Sequence, residues 1–238
     1  MPMRTLFLAA LLAAAPAFAQ GAPADTVTIA PGDASLVTDW IAPGTRTYTM
    51  RLTAPMQQDV GTMTERITVE NGRVVRVTTT SVPMQGMTQT DSLVATTAFV
   101  PLTHNSEGGG AEASLEFMDE GVVGMVTPMQ GDPTAVTLLT DAPVFDGAWI
   151  VEIAQSVPLV EGAVYRVPTF FAQAPDNVGE VILTVGALED VGGTMAHAVE
   201  GDLGPLAFTY LINPDTRKLL TTRFSPQPGV ELEIMPDE

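Results

Sequence analysis

The sequence predicts a mainly β protein: a single domain of antiparallel strands interrupted by one short helix. Three observations carry this prediction. Near both ends of the expected domain, polar and apolar residues alternate without a fault. Between them the chain is full of Val, Ile and Thr, whose stiff side chains suit a pleated surface better than a helix. Turn-forming residues then punctuate the apolar runs at the intervals of a meander.

The first segment reads as an address. Arg4 gives a short positive region, 5–15 is unbroken apolar sequence, and Ala17-Phe18-Ala19 precedes Gln20. This predicts a secretory signal peptide over 1–19, cleaved after Ala19, and hence a periplasmic or secreted protein. The competing reading, a membrane span, needs about 20 apolar residues and the run is too short for one. Residues 20–44 are rich in Ala, Pro, Gly and Asp with little periodicity, which predicts an extended, mobile lead-in to a β-rich domain over 45–236.

The domain opens with Thr47 to Thr53, whose alternation places Tyr48, Met50 and Leu52 on one face of a half-buried strand. Glu70-Asn71-Gly72-Arg73 is the strongest turn signal, because Asn-Gly tolerates the two positive φ angles of a type I′ hairpin. That register sets Val69 opposite Val74, which agree in face, but Ile67 opposite Arg76, which do not. A bulge or a longer loop is therefore expected. Asp119-Glu120-Gly121 and Asn213-Pro214-Asp215-Thr216 are further tight turns. Gly108-Gly109-Gly110 reads as a loop tip, since it lacks the Lys-Ser/Thr of a phosphate-binding loop.

One stretch departs from period two. Phe145, Trp149, Ile150 and Ile153 recur at helical spacing, with Asp146, Glu152 and Gln155 elsewhere on the wheel, and a short helix is predicted over about 145–156, ended by Pro158. The rival is a strand, because Trp149, Val151 and Ile153 also alternate with their neighbours. Beyond it, 165–171, 178–188, 194–199, 206–212 and 218–224 read as strands, and Val230, Leu232 and Ile234 close the pattern between Glu231 and Glu233. No fixed repeat recurs.

Composition removes several chemistries. The chain of 238 residues has no cysteine, which excludes disulfides, thiolate metal sites and a cysteine nucleophile. Its 10 Lys+Arg against 28 Asp+Glu give a net charge of −18, which repels phosphate backbones and anionic lipid, so no nucleic-acid partner is expected. His104, in an expected loop, and His197, in mid-strand, lack metal-ligand neighbours and are read as surface or hydrogen-bonded residues. No cofactor, metal or catalytic residue is predicted, and no serine sits in a nucleophile motif. Paired carboxylates for a hydrolase stay open, because such pairing is spatial.

Pro-Met-Gln occurs at 55–57, 83–85 and 128–130. In a meander the first two copies fall at the same end of the sheet, and flexible, polarizable Met56 and Met84 would form a rim suited to apolar ligands. The alternative is that proline ends strands and methionine fills gaps. The third copy's position depends on whether a strand ends near Pro101.

The order Phe145-Asp146-Gly147-Ala148-Trp149, then Val157-Pro158-Leu159-Val160-Glu161-Gly162, Tyr165-Arg166-Val167-Pro168 and Phe208 to Arg217 resembles exported bacterial proteins catalogued only as a domain of unknown function. The resemblance covers about residues 45–235, with Leu211 where related sequences often place tryptophan. It implies a strongly curved antiparallel sheet or incomplete barrel, similar to outer-membrane lipoprotein carriers, with the helix on the concave side. It carries no activity and no agreed ligand. The expectation is a monomeric, non-catalytic binding module that does not span the membrane. Its ligand would be a lipid or other apolar or amphipathic molecule, with Phe145, Trp149 and Ile153 lining or plugging the cavity and Met56 and Met84 at its rim. The alternative is an envelope module that binds a protein partner through a sheet edge.

Overall fold

The computed structural model of the protein describes residues 25–109, 111–128, 131–203 and 206–237. The expected signal peptide, the first residues of the lead-in, Gly110, and Met129 and Gln130 of the third Pro-Met-Gln lie outside the described residues. The alternating segments form strands, and the strands form one open, curved sheet. In chain order they are β1 (Val27–Thr28), β2 (Gly44–Ala54), β3 (Gln58–Glu70), β4 (Arg73–Val82), β5 (Met87–Thr96), β6 (Pro101–Gly108), β7 (Glu112–Met118), β8 (Gly121–Thr127) and β9 (Thr134–Leu139). After these come β10 (Phe145–Asp146), a 3-10 turn (Gly147–Trp149) and helix α1 (Ile150–Ser156). The second run is β11 (Val164–Phe170), β12 (Val178–Val191), β13 (Thr194–Leu203), β14 (Leu206–Ile212), β15 (Leu219–Gln227) and β16 (Val230–Pro236).

Each run is an antiparallel meander, and the two join where β16 pairs with β2. The two alternating strands that bracket the domain in sequence are thus neighbours in space, with Leu232 opposite Leu52 and Ile234 opposite Met50. The 3-10 turn and α1 belong to the connection that leads from β9, one edge of the sheet, to β11 at the other. For so short a connection to reach, the sheet must roll up around it. Among the described residues no ladder joins β9 to β10, and side chains close the roll instead. Phe117 of β7, Val126 of β8 and Val136 of β9 pack against Val144, Phe170 and Ala172, with the Phe117 and Phe170 rings edge to face at 5.8 Å.

Helix α1 fills the concave side. Its 3-10 turn is capped by Asp146, whose Oδ1 accepts from the Ala148 N–H at 3.0 Å. It ends at Val157, extended at ψ 151° ahead of Pro158 as the proline ring demands. Phe145 and Asp146, expected to be helical, form a two-residue strand parallel to the end of β11. Phe145, Trp149 and Ile153 are buried in the main core with residues of strands from both runs.

Three expectations are corrected. The Asn71-Gly72 hairpin has both positive φ angles, 51° and 74°, but neither a bulge nor a longer loop follows, and the register runs unbroken with Ile67 opposite Arg76. Arg76 faces inward because its charge has partners there. His104 lies on a strand rather than in a loop, because β6 begins at Pro101 and carries His104 opposite Leu93 on the buried face. The described part of the lead-in is not free: β1 pairs with β11, and Ile29 and Leu36 are buried in the main core. Its few apolar residues show no period because tertiary packing, not local structure, holds them.

Candidate functional site

The concave face is not uniformly apolar. Across β2 to β6 the inward positions include Tyr48, Glu65, Arg76, Thr78, Asp91, His104 and Ser106. Two polar clusters form where this stripe meets the α1 segment.

The first cluster centres on Arg76. Its Nη1 donates to both carboxylate oxygens of Glu152, at 2.8 and 2.7 Å, and to the Ala148 carbonyl at 2.8 Å. Its Nε lies 3.5 Å from Glu65, and the guanidinium lies 5.5 Å from the Trp149 ring centroid. Glu65 also meets Arg46 at 3.6 Å and accepts from the Tyr48 hydroxyl at 3.3 Å. Burial works against charge on Arg76, but Glu152, Glu65, Asp91 and Asp146 outweigh it and raise the guanidinium's affinity for its proton. Burial raises the Glu152 pKa, and Glu65 adds to that, while Arg76 offsets part of the rise. Glu65 and Glu152 are the nearest approach to the carboxylate pair of a hydrolase. They are bridged by a guanidinium, their side chains are only 8% and 4% exposed, and neither lies on the cavity wall described next.

The second cluster centres on His104. Its Nδ1 lies 3.0 Å from Asp146 Oδ2, and its Nε2 lies 3.9 Å from Asp91 Oδ1. The first contact lacks hydrogen-bond alignment and the second is too long, so both ring nitrogens are buried without a hydrogen-bond partner. Burial disfavours the imidazolium, but Asp146 and Asp91 prevail and push His104 up to about 10. Asp91 is correspondingly held below the usual carboxylate range: burial opposes this, and His104, Ser106 and Gln89 win. The ring is a cation at neutral pH, between two carboxylates.

His104 and Asp91 stand in the wall of a cavity of about 320 Å³ on the concave side. Its apolar wall includes Met50, Met63, Met87, Phe224 and Ile234, drawn from five strands of both runs. Its polar wall includes Thr80, Gln89, Asp91, His104 and Ser106, Ala148 of the 3-10 turn also lines it, and the exposed Glu112 and Gln173 stand on its wall as well. The volume matches about ten waters in the liquid, or the low end of small-molecule sites.

None of the five residues singled out in the sequence lines this cavity. Phe145, Trp149 and Ile153 fill the core beneath it as a plug. Met56, 58% exposed, and Met84, 69% exposed, do fall at one end of the sheet, where Gln58 Nε2 reaches the Met84 sulfur at 3.5 Å. Pro128, the described residue of the third copy, follows β8 at that same end. The cavity uses the inward methionines of the strands rather than the turn methionines. Their signal was available: Met50 alternates with Tyr48 and Leu52, and Met87 follows the Pro83–Gln85 turn directly. His197 is hydrogen-bonded, Nδ1 meeting the Gly186 carbonyl at 2.9 Å. Among the described residues no three His, Asp or Glu are placed to hold a metal ion, and no helix is long and apolar enough to cross a membrane.

No curated protein matches the chain. A family model described as "Protein of unknown function (DUF3108)" matches residues 47–219, from the fourth residue of β2 to the first residue of β15. The match takes in the strands from β2 to β14, the α1 plug and most of the cavity wall, and the chain belongs to that family of unknown function.

Proposed function

We propose that the protein is an exported, non-catalytic binding module for an amphipathic ligand held in the concave cavity. The observation that carries this reading is the division of the cavity wall. Met50, Met63, Phe224 and Ile234 of β2, β3, β15 and β16 suit an alkyl chain, and Thr80, Gln89, Asp91, His104 and Ser106 of β4 to β6, with Met87 among them, suit its polar head. Methionine side chains adapt to varied shapes, so the site would take a class of ligands rather than one compound. Export is supported by Arg4, the apolar run behind it and the small residues before Gln20.

The test is native mass spectrometry of gently purified protein together with uptake of the neutral fluorophore N-phenyl-1-naphthylamine. Co-purifying lipid or saturable uptake supports the reading. Thr80→Phe, which puts a ring into the cavity from β4, is expected to abolish uptake while the far-UV circular dichroism stays unchanged. Uptake that survives this substitution, or a bare protein that takes up nothing, counts against it.

A second reading, an envelope module that binds a protein through a sheet edge, is favoured by β9. It is an edge strand of the sheet, and its Leu139 is 77% exposed. A stoichiometric protein retained from envelope extract by the wild type, and lost with Val136→Pro, would support it.

A further inference from the structure

The polar wall of the cavity constrains the chemistry of the ligand's head. Asp146, which is not a wall residue, meets one nitrogen of His104, and Asp91, which is, meets the other. The His104 side chain is 8% exposed and its Nε2 has no hydrogen-bond partner. A buried N–H in that state is destabilising until an acceptor arrives, and the space on the Asp91 side is the cavity. Asp91 offers the matching acceptor from the same wall, and Thr80 beside it can donate or accept, while Gln89 and Ser106 are bonded to each other and to the Ala111 carbonyl. Among the described residues no lysine or arginine lines the cavity, and Glu112 adds a second carboxylate to its wall.

Charge then decides between headgroups. A carboxylate placed on the imidazolium also lies beside Asp91, and an ammonium placed on Asp91 also lies beside the imidazolium. The carboxylate is repelled by Asp91, with Glu112 adding to it, and the ammonium by the imidazolium, whose charge Asp146 offsets only in part, in a recess where such repulsion is poorly screened. An uncharged head with both an acceptor and a donor uses both residues and meets no repulsion.

We propose that His104 and Asp91 select the headgroup, and that the preferred ligand has an uncharged head offering both an acceptor and a donor, a primary amide or an alcohol, on an alkyl chain. This rests on the reading of the cavity as an amphiphile site.

The experiment is displacement of N-phenyl-1-naphthylamine from the whole protein at pH 7 by four ten-carbon ligands: decanamide, 1-decanol, decanoate and decylammonium. The amide and the alcohol are expected to displace it at concentrations at least about tenfold below those of the charged pair. Charged ligands that compete as well as the neutral ones overturn the headgroup proposal and leave the cavity reading standing. A protein that binds neither probe nor ligand overturns both. Asp91→Asn removes the carboxylate that stands beside the imidazolium on the wall, with Asp146 still behind the ring, and is expected to improve decanoate against decanamide by at least about tenfold. Unchanged selectivity in that variant, or in Asp91→Ser should the first not fold, refutes the role of Asp91.

Discussion

The placement of His104 has a consequence for stability that can be measured without any ligand. Its pKa in the folded protein, about 10, stands above the ordinary 6.5, chiefly because Asp146 and Asp91 favour the cation more than burial disfavours it. The folded state therefore holds a proton that the unfolded chain releases. The stabilisation is fully present below pH 6.5 and is lost as pH rises through about 10. Between those limits stability falls by about 1.4 kcal/mol per pH unit for one such proton. From pH 7 to pH 9 the expected loss is roughly 2.7 kcal/mol, which for a chain of this size lowers Tm by about 5–10 °C. The tyrosines stay out of this window, since Tyr48 is pushed up to about 12 by burial and Glu65, and burial also raises Tyr165 and Tyr210. Glu152, raised by burial, contributes with the same sign, so a control is required. Urea unfolding followed by tryptophan fluorescence at pH 7, 8 and 9 supplies the measurement, with His104→Gln alongside. A wild type whose stability is flat across this range would refute the assignment. So would a His104→Gln variant that loses as much as the wild type.

The other cluster and the seam give further expectations. Arg76→Met leaves Glu152 and Glu65 buried without their shared cation and is expected to cost about 3–5 kcal/mol, whereas Arg76→Met combined with Glu152→Met recovers most of it. Additive losses in a double-mutant cycle would show that the pair is not coupled. Phe117→Ala removes the ring that meets Phe170 across the seam and is expected to cost about 3–5 kcal/mol and to speed amide exchange in β8 and β9 before the rest of the sheet. Uniform acceleration would mean that the seam is not a separate weak point. Gly72→Ala, at φ 74° with open space around it, is expected to cost about 1 kcal/mol by chemical denaturation. A neutral result would place no demand on the left-handed backbone there.

Strand positions were legible because alternation is a local signal. The strands after α1 start within one residue of their expected positions, and the meander order follows from the turn chemistry between them. Where reading by local signal failed, it failed for one reason: the buried face carries polar residues. Ile67 opposite Arg76 looked like a register fault, since a guanidinium on an apolar face is costly unless paired, and its partner Glu152 lies 76 residues away. His104, expected in a loop, and its strand neighbour Ser106 were missed for the same reason. Their inward faces meet Asp146, Asp91 and the cavity, which no window of neighbouring residues contains. The lead-in shows the converse: Ile29 and Leu36 are core residues without a period, because docking against the body holds them.

These polar departures have a common geometry. The α1 segment is fixed at successive points by charge and hydrogen bonds rather than by its apolar face alone. Asp146 meets His104 of β6, and Glu152 meets Arg76 of β4. Gln155 donates to the Arg217 carbonyl, and Arg217 returns bonds to the Gln155 and Val157 carbonyls at 3.3 and 2.8 Å. Ser156 accepts from Trp40 of the lead-in at 3.1 Å. An apolar plug in an apolar trough could slide or rotate with little change in buried area, since hydrophobic contact is not directional. Directional contacts at several places forbid this, and they hold Ala148 in one position over the cavity. Buried ion pairs contribute little net stability against well-packed apolar residues, so their role here is better read as positional. On that reading the Arg76→Met and Glu152→Met double variant should stay folded and yet lose ligand selectivity. A stable double variant that retained full selectivity would show that packing alone sets the plug.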